Sequence, residues 1–253
     1  MQAYNASFAR IYNLRWAGFA QNAAPRLRAY YESSTPVGQD NRALLDLCCG
    51  TGQLALNFLD AGYQVTGLDL SDAMLDYARS SAAEYIVTGQ ARFVQGDAAN
   101  FELNEQYGLV VSTFDALNHL PDFNALKGCF LSVYLALVEG GLFIFDLNTR
   151  DGLRRWTNIS VEDSPELMLV TRAFFDQASR RAYMHISGFF AVGEDLYERF
   201  EETAYETAFA VEEVKEALRE TGFRNVRCAR LQDLSAPVAE PEHEARIFFI
   251  VEK

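Results

Sequence analysis

From Ala43 onward the chain alternates short apolar runs with segments of helical periodicity. ALLDLC reads as a buried strand, GQLALNFLDAG as a short helix closed at Gly62, and YQVTGLDL as a second strand. SDAMLDYARSSA places apolar residues at helical spacing, with Ser71 positioned to cap its N-terminus. ARFVQ makes a third strand, and the loop GDAANFELNEQ leads to a fourth, GLVVST. A helix is then expected to begin near Pro121 and to stop at Gly140 and Gly141, before a fifth strand, LFIFDL. Strands joined by helices in this order specify a parallel sheet with helices on both faces.

Beyond residue 149 the rhythm changes. ELMLVTRAFFD, RRAYMHISGFF and LYERFEETAYETAF alternate with period two and are separated by DQAS and GED, which predicts an inserted antiparallel flap. Tyr183, His185 and Phe189 share one face of such a strand, and either line the acceptor pocket or face the helix layer as core. VEEVKEALRETG reads as a helix closed by Gly222. The strands FRNVRCARL and ARIFFIVE follow without an intervening helix, as an antiparallel pair at the sheet edge. Ahead of all this, residues 4–32 read as one or two helices, and SSTPVGQDN as a turn-rich link. The expected division is a helical cover over 1–40, a core over 41–149 and 210–253, and the flap over 150–209. The fold class is α/β and Rossmann-like: a seven-stranded, mostly parallel sheet with an antiparallel last strand, plus the inserted flap.

Composition narrows the picture in three ways. A chain of 253 residues that is 49% hydrophobic can bury one substantial core. Its 22 Lys and Arg against 35 Asp and Glu leave a net charge of -13, which would repel a phosphate backbone. No nucleic-acid partner is expected, and a small molecule or another protein is left open, as is a homodimer. Cys48, Cys49, Cys129 and Cys228 match neither a disulfide framework nor a zinc spacing, and His119, His185 and His243 are far apart, so no metal site is expected. No run approaches the roughly 18 apolar residues of a membrane span; no membrane partner is expected, and the cytoplasm is the expected location.

In an open parallel sheet, ligands sit at the carboxyl ends of the strands, near the point where strand order reverses. The first such loop reads Asp46-Leu47-Cys48-Cys49-Gly50-Thr51-Gly52. Gly50 and Gly52 permit a tight turn and a close ligand approach, and the next helix offers free N–H groups. Gly50, Gly52 and Ala55 also fit the dinucleotide spacing. Asp46 argues against that reading, because a carboxylate at the strand end repels a pyrophosphate and favours an ammonium or sulfonium. Asp69, ending the second strand, can accept from both hydroxyls of a ribose. Leu70 and Met74 are placed to pack an adenine, and Asp97, after the third strand, to accept from its amino group. Three acids at the ends of three successive strands are the strongest chemical signal in the chain.

DLCCGTG, GLDLSDAML, FVQGDAANF, VVSTFDALNHL and LVEGGLFIFDLNT resemble the successive motifs of class I S-adenosylmethionine-dependent methyltransferases. The flap followed by helix and hairpin resembles their small-molecule branch, such as amino-sugar N-methyltransferases and glycine N-methyltransferase. The resemblance implies the cofactor S-adenosyl-L-methionine, with S-adenosyl-L-homocysteine as product. It makes Asp46, Gly50 and Gly52 the methionine-side loop, Asp69 the ribose ligand, and Asp97 with Ala98 the adenine contact, with Leu70, Met74 and Phe114 completing the set. Cys48 stands where the family usually has its first glycine, and Gly108 where an acid often opens the fourth strand. Phe8 to Asn13 resemble the family's N-terminal F-A-x-x-Y-D segment, which implies that Tyr12 meets the sulfonium or the substrate and that Arg15 pairs with the methionine carboxylate. Methyl transfer is an in-line displacement that chiefly needs alignment in a dry site. An oxygen or protonated amine also needs a base, for which Asp115, Asn118 and His119 are candidates; His119 has the most suitable ordinary pKa. The implied function is methyl transfer to a nitrogen or oxygen of a small molecule. A nicotinamide-dependent oxidoreductase and a non-catalytic S-adenosylmethionine-binding or partner protein are the alternatives.

Overall fold

Alternation along each central strand sorts its side chains into two apolar layers. Leu45, Val110, Phe143 and Phe145 lie on one side of the sheet, and Leu44, Leu109, Val111 and Ile144 on the other. The structure, a computed structural model, describes Tyr4 and residues 6–253; Met1 to Ala3 and Asn5, at the start of the expected cover, lie outside the described residues. Three helices come first, α1 (Ala6–Arg15), α2 (Ala17–Ser34) and α3 (Pro36–Asp40). Then β1 (Ala43–Leu47), α4 (Gln53–Asp60), β2 (Gln64–Asp69), α5 (Asp72–Ser81), α6 (Ala83–Val87) and β3 (Ala91–Gln95) build one half of the sheet. The other half follows as β4 (Tyr107–Ser112), a short 3₁₀ turn (Ala116–His119), α7 (Phe123–Ala136) and β5 (Leu137–Asn148). Ser71 caps α5 as expected, its Oγ accepting from Met74 N at 3.3 Å.

After α8 (Arg150–Arg154) come the flap strands β6 (Ile159–Asp163), β7 (Leu167–Asp176), β8 (Arg181–Gly193) and β9 (Leu196–Thr207), then α9 (Val211–Thr221), β10 (Arg224–Arg230), β11 (Asp233–Pro237) and β12 (Arg246–Glu252). The main sheet runs β11-β10-β12-β5-β4-β1-β2-β3, with β12 antiparallel to both β5 and β10. Strand order reverses between β1 and β4, so the carboxyl ends of β1, β2, β4 and β5 share one edge.

Four details depart from the pattern-based reading. The main sheet has eight strands, because β11 folds back on β10; only Leu234 of its five residues is buried, so it carries no alternation to detect. The flap has four strands, because β6 pairs with β7 although all five of its residues are exposed. Helix α7 starts two residues after Pro121, where the Asp122 carboxylate accepts from Ala125 N at 2.9 Å, and it ends at Ala136. Gly140, at φ +75°, therefore lies inside β5, where the pairing with β4 shifts register.

The flap packs onto α1 rather than onto the sheet. Phe8, Ala9 and Ile11 form a separate small core with Met74, Leu167, Leu169, Ile186, Phe190 and Phe200. This apolar contact holds the N-terminal helix and the flap together over the reversal point. Among the described residues, no helix is long and apolar enough to cross a membrane.

Candidate active site

The glycine loop is shaped by backbone that side chains usually avoid. Cys48 sits at φ +59° and Gly50 at φ +54°, in the left-handed region. This is why the family motif favours glycine at the first of these positions, and here a cysteine bears the strain. Asp69 locks the loop from the next strand: one oxygen accepts from Gly50 N at 2.8 Å and the other from Ser71 N at 2.9 Å. Asp46 is buried in β1, and its Oδ2 has no hydrogen-bond partner among the described residues; nor does the neighbouring Thr51 Oγ1. Burial, and then the charge of Asp69, push the Asp46 carboxyl up to about 7. Both orphaned oxygens line a recess of about 20 Å³ with Gln53, Thr113, Tyr12 and Trp16. An amino-acid ammonium would give the two orphaned oxygens N–H donors and offset the charge of Asp46.

Beside the recess opens a cavity of about 220 Å³. Its floor holds Cys48, Gly50, Asp69, Leu70, Met74 and Phe114; its roof holds Tyr4, Phe8, Tyr12 and Trp16, and Met184 and Glu206 come from the flap. The aromatic roof is continuous, with Tyr4 stacked on Phe8 at 3.9 Å between ring centroids. Tyr12 is buried, and its phenol is held well above its ordinary pKa by that burial and by Asp115, so it stays protonated.

The far end of the cavity is built by the loop after β4. Phe114 and Asp115 both adopt positive φ, at +64° and +52°. Their backbone N–H groups donate to the two oxygens of Asp146, at 2.7 and 3.0 Å, so one buried carboxylate of β5 holds the strained pair in place. Arg246 of β12 bridges Asp146, at 2.6 Å, and Asp115. His119 Nδ1 lies 2.8 Å from the Tyr205 carbonyl, which assigns the proton to Nδ1 and leaves Nε2 to accept from the Tyr4 hydroxyl at 3.1 Å. Burial lowers the His119 pKa, so the ring is neutral. Glu206, from β9, is fully desolvated; burial, and then Asp115, push its pKa well up, while Asn148 Nδ2 donates to it at 2.8 Å. One ligand atom each of Asp115, His119 and Glu206 lie within 4.8 Å of one another, a spacing a metal ion accepts, although Arg246 already neutralises part of that charge.

The structure thus brings together Tyr12, Cys48, Gly50, Asp69, Leu70, Met74, Phe114 and His119 around one cavity, with Asp46 in the adjoining recess. Other expected residues stand elsewhere. Arg15 points to the flap and pairs with Glu162 at 2.5 Å. Asp97 does not line the cavity, because its carboxylate accepts from Ala99 N at 2.9 Å within its own turn, and Ala98 is buried in the core. Gly52 works by packing: a Cβ there would come within 2.9 Å of the Ala78 methyl. Asn118 is a structural tie, donating to the carbonyls of Asn148 and Thr207 and accepting from Asn148 N.

Tyr183, His185 and Phe189 do share a face, but it is the outer one: Phe189 is 41% exposed, His185 meets Thr203, and Tyr183 stacks on Phe174. The period was right and the side was reversed, because the inner positions Met184, Ile186 and Phe190 pack against α1. The sequence reading also missed Tyr4, Trp16, Asp146, Asn148, Trp156, Glu206 and Arg246. Glu206 alternates in register with the inward Ala204 and Phe200, so the flap face, once known, identifies it.

A glycine turn locked by the acid that ends β2, beside a covered cavity at the strand reversal, is the arrangement of class I methyltransferases that use S-adenosylmethionine. Comparison with known proteins agrees: residues 44–141 match the family model described as "Methyltransferase domain". A Bacillus subtilis (strain 168) protein named as a methyltransferase, YqeM, is 29% identical over 226 residues, 88% of each chain. A dTDP-3-amino-3,4,6-trideoxy-alpha-D-glucopyranose N,N-dimethyltransferase of Streptomyces venezuelae is 28% identical over 146 residues, 56% of this chain and 58% of its own. The crystal structure of an S-adenosylmethionine-dependent methyltransferase from Clostridium acetobutylicum ATCC 824 superposes with a TM-score of 0.81 at 25% identity, covering 97% of both chains.

Proposed function

We propose that the enzyme methylates a nitrogen of a small molecule held between the glycine loop and the flap. The observation that carries this reading is the neutral His119, which lines the cavity beside Asp115 and Glu206 with its Nε2 accepting from the Tyr4 hydroxyl. S-adenosylmethionine supplies an electrophilic methyl group when bound. Asp46 and Thr51 would hold its ammonium and Asp69 its ribose, with Leu70, Met74 and Phe114 around the adenosyl group. His119 Nε2 could accept a proton from an amine that takes the place of the Tyr4 hydroxyl on it, while the Tyr205 carbonyl keeps the ring in the tautomer that can do so. The aromatic roof and the inner face of the flap exclude water from the reacting atoms. An oxygen acceptor is the second reading, since the same lone pair can take a hydroxyl proton. Nitrogen is favoured by the surplus of buried carboxylates at that end, and by the Streptomyces relative, whose printed name describes an amino-sugar N,N-dimethyltransferase.

In the same reading, residues 150–209 are the acceptor flap, 1–40 the cover, and 41–149 with 210–253 the cofactor core. The test is an acceptor screen with S-adenosylmethionine, pairing each amine with its hydroxyl counterpart and measuring S-adenosylhomocysteine release. Turnover of amines that His119→Ala lowers by about a hundredfold or more supports the reading; turnover unaffected by that substitution would remove His119 from the chemistry.

A further inference from the structure

Two of the buried acids at the acceptor end face each other with no donor between them. One carboxylate oxygen of Asp115 and one of Glu206 lie within 4.8 Å of each other, and Asp115 adds to the burial that pushes the Glu206 pKa up. Two ionised carboxylates this close and this buried repel, so a proton or another positive group beside them is favoured. The groups packed around the pair are all identified. Arg246 from β12 sits against Asp115 and Asp146, Asn148 from β5 donates to Glu206, His119 from the 3₁₀ turn lies beside both acids, and the Tyr4 phenol closes the roof. Arg246 offsets one of the three acids Asp115, Asp146 and Glu206, and among the described residues that line the cavity it is the only Arg or Lys. A negative charge surplus therefore remains at a site that faces a cavity and is shielded from bulk water.

We propose that Glu206 keeps its proton beside Asp115 in the free enzyme and that an acceptor's ammonium replaces it, making this pair the subsite that selects cationic amines. The proposal rests on the nitrogen reading of the function and assigns the selection to Glu206, a residue outside every methyltransferase motif in the chain. The exchange balances. The Glu206 proton leaves to solvent, the pair goes from one negative charge to two, and the incoming ammonium restores the original net charge of the pocket. Its N–H groups then donate to the two carboxylates, which the Glu206 proton could satisfy at only one position. A divalent ion fits less well, because the Arg246 guanidinium already lies against Asp115 and would repel it.

The test needs no acceptor. Sinefungin carries an ammonium where S-adenosylmethionine carries its methylsulfonium, whereas S-adenosylhomocysteine has no charge there. Isothermal titration of both into the wild type, in buffers of different ionisation enthalpy, is expected to show sinefungin binding roughly tenfold or more tightly than S-adenosylhomocysteine, with close to one additional proton released. In Glu206→Gln, which keeps the shape but not the charge, that preference should fall towards parity while S-adenosylhomocysteine affinity stays within about twofold. A second measurement uses no ligand. The thermal stability of Glu206→Gln relative to wild type should rise with pH, because only the wild type loses the Glu206 proton. Equal affinities, no extra proton release or a pH-independent stability difference would overturn the proposal. Failure of S-adenosylhomocysteine itself to bind would instead strike the cofactor site, and the paired acceptor screen reports on the nitrogen reading separately.

Discussion

In the proposed reading, Asp46 couples cofactor binding to pH through a single buried acid. Its carboxyl is pushed up to about 7, first by burial and then by Asp69. The folded value lies above the unfolded one, so the stabilising contribution is complete at acid pH, below the unfolded value, and is lost as pH rises through about 7. Unliganded protein should therefore lose stability from this group at up to about 1.4 kcal/mol per pH unit on rising from acid to neutral pH. If its ammonium pairs with the ionised carboxylate as proposed, S-adenosylhomocysteine should bind more tightly at pH 8 than at pH 6. Thermal shift across that range, with and without the ligand, checks both, and a slope of the opposite sign would contradict the burial argument. Asp46→Ala should weaken S-adenosylhomocysteine by about tenfold or more; unchanged affinity would remove Asp46 from the recess. Asp46, Asp69 and the glycine turn were legible in the sequence because each sits at a fixed offset from a strand end. Asp97 sits at an equivalent offset, yet its Oδ1 accepts from Ala99 N and the residue stands outside the cavity, which no spacing rule reveals.

At the scale of elements, the loop after β4 depends on a residue far away in sequence. Asp146 receives the N–H groups of Phe114 and Asp115 and the guanidinium of Arg246, so it sets the direction in which Asp115 points. Asp146→Asn leaves a buried arginine less compensated and a strained turn less held. It should cost about 3 kcal/mol or more in denaturant unfolding and lower acceptor turnover more than S-adenosylhomocysteine affinity. A loss below about 1 kcal/mol would show that the turn holds itself. The flap permits a sharper contrast between neighbours. Phe190 is 2% exposed and packs against Phe200 and the Arg10 guanidinium, whereas Phe189 is 41% exposed. Phe190→Ala should cost about 3–5 kcal/mol and Phe189→Ala about 0.5 kcal/mol or less. The reverse ranking would put the outer face of the flap over the site.

The flap also marks the limit of what the pattern could say. Period two identified three of its strands and the residues that share a face, but both faces carry aromatic residues, Tyr183 and Phe189 on one and Phe190 and Phe200 on the other. Only the presence of α1 decides which is buried. The two strands that went unseen, β6 and β11, are edge strands with almost no buried side chains, so neither burial nor alternation was imprinted on them. Glu206 and Arg246 were missed for a different reason: each reads as an ordinary surface charge until the strand pairing places it against Asp115.

Across the whole molecule, three separately built parts meet over one cavity. The sheet supplies the cofactor end, the loop after β4 supplies Asp115 and His119, and α1 with the flap supplies the cover. The net charge of -13 is compatible with a small cationic acceptor and opposes a polyanionic one. The most direct measurement is the transfer of an isotopically labelled methyl group from S-adenosylmethionine to matched amine and hydroxyl acceptors, with the site of labelling located by mass spectrometry. Label is expected on nitrogen, as the nitrogen reading requires, with His119→Ala and Glu206→Gln both reducing it. Label found only on oxygen, or on nitrogen at an unchanged rate in both variants, would contradict it.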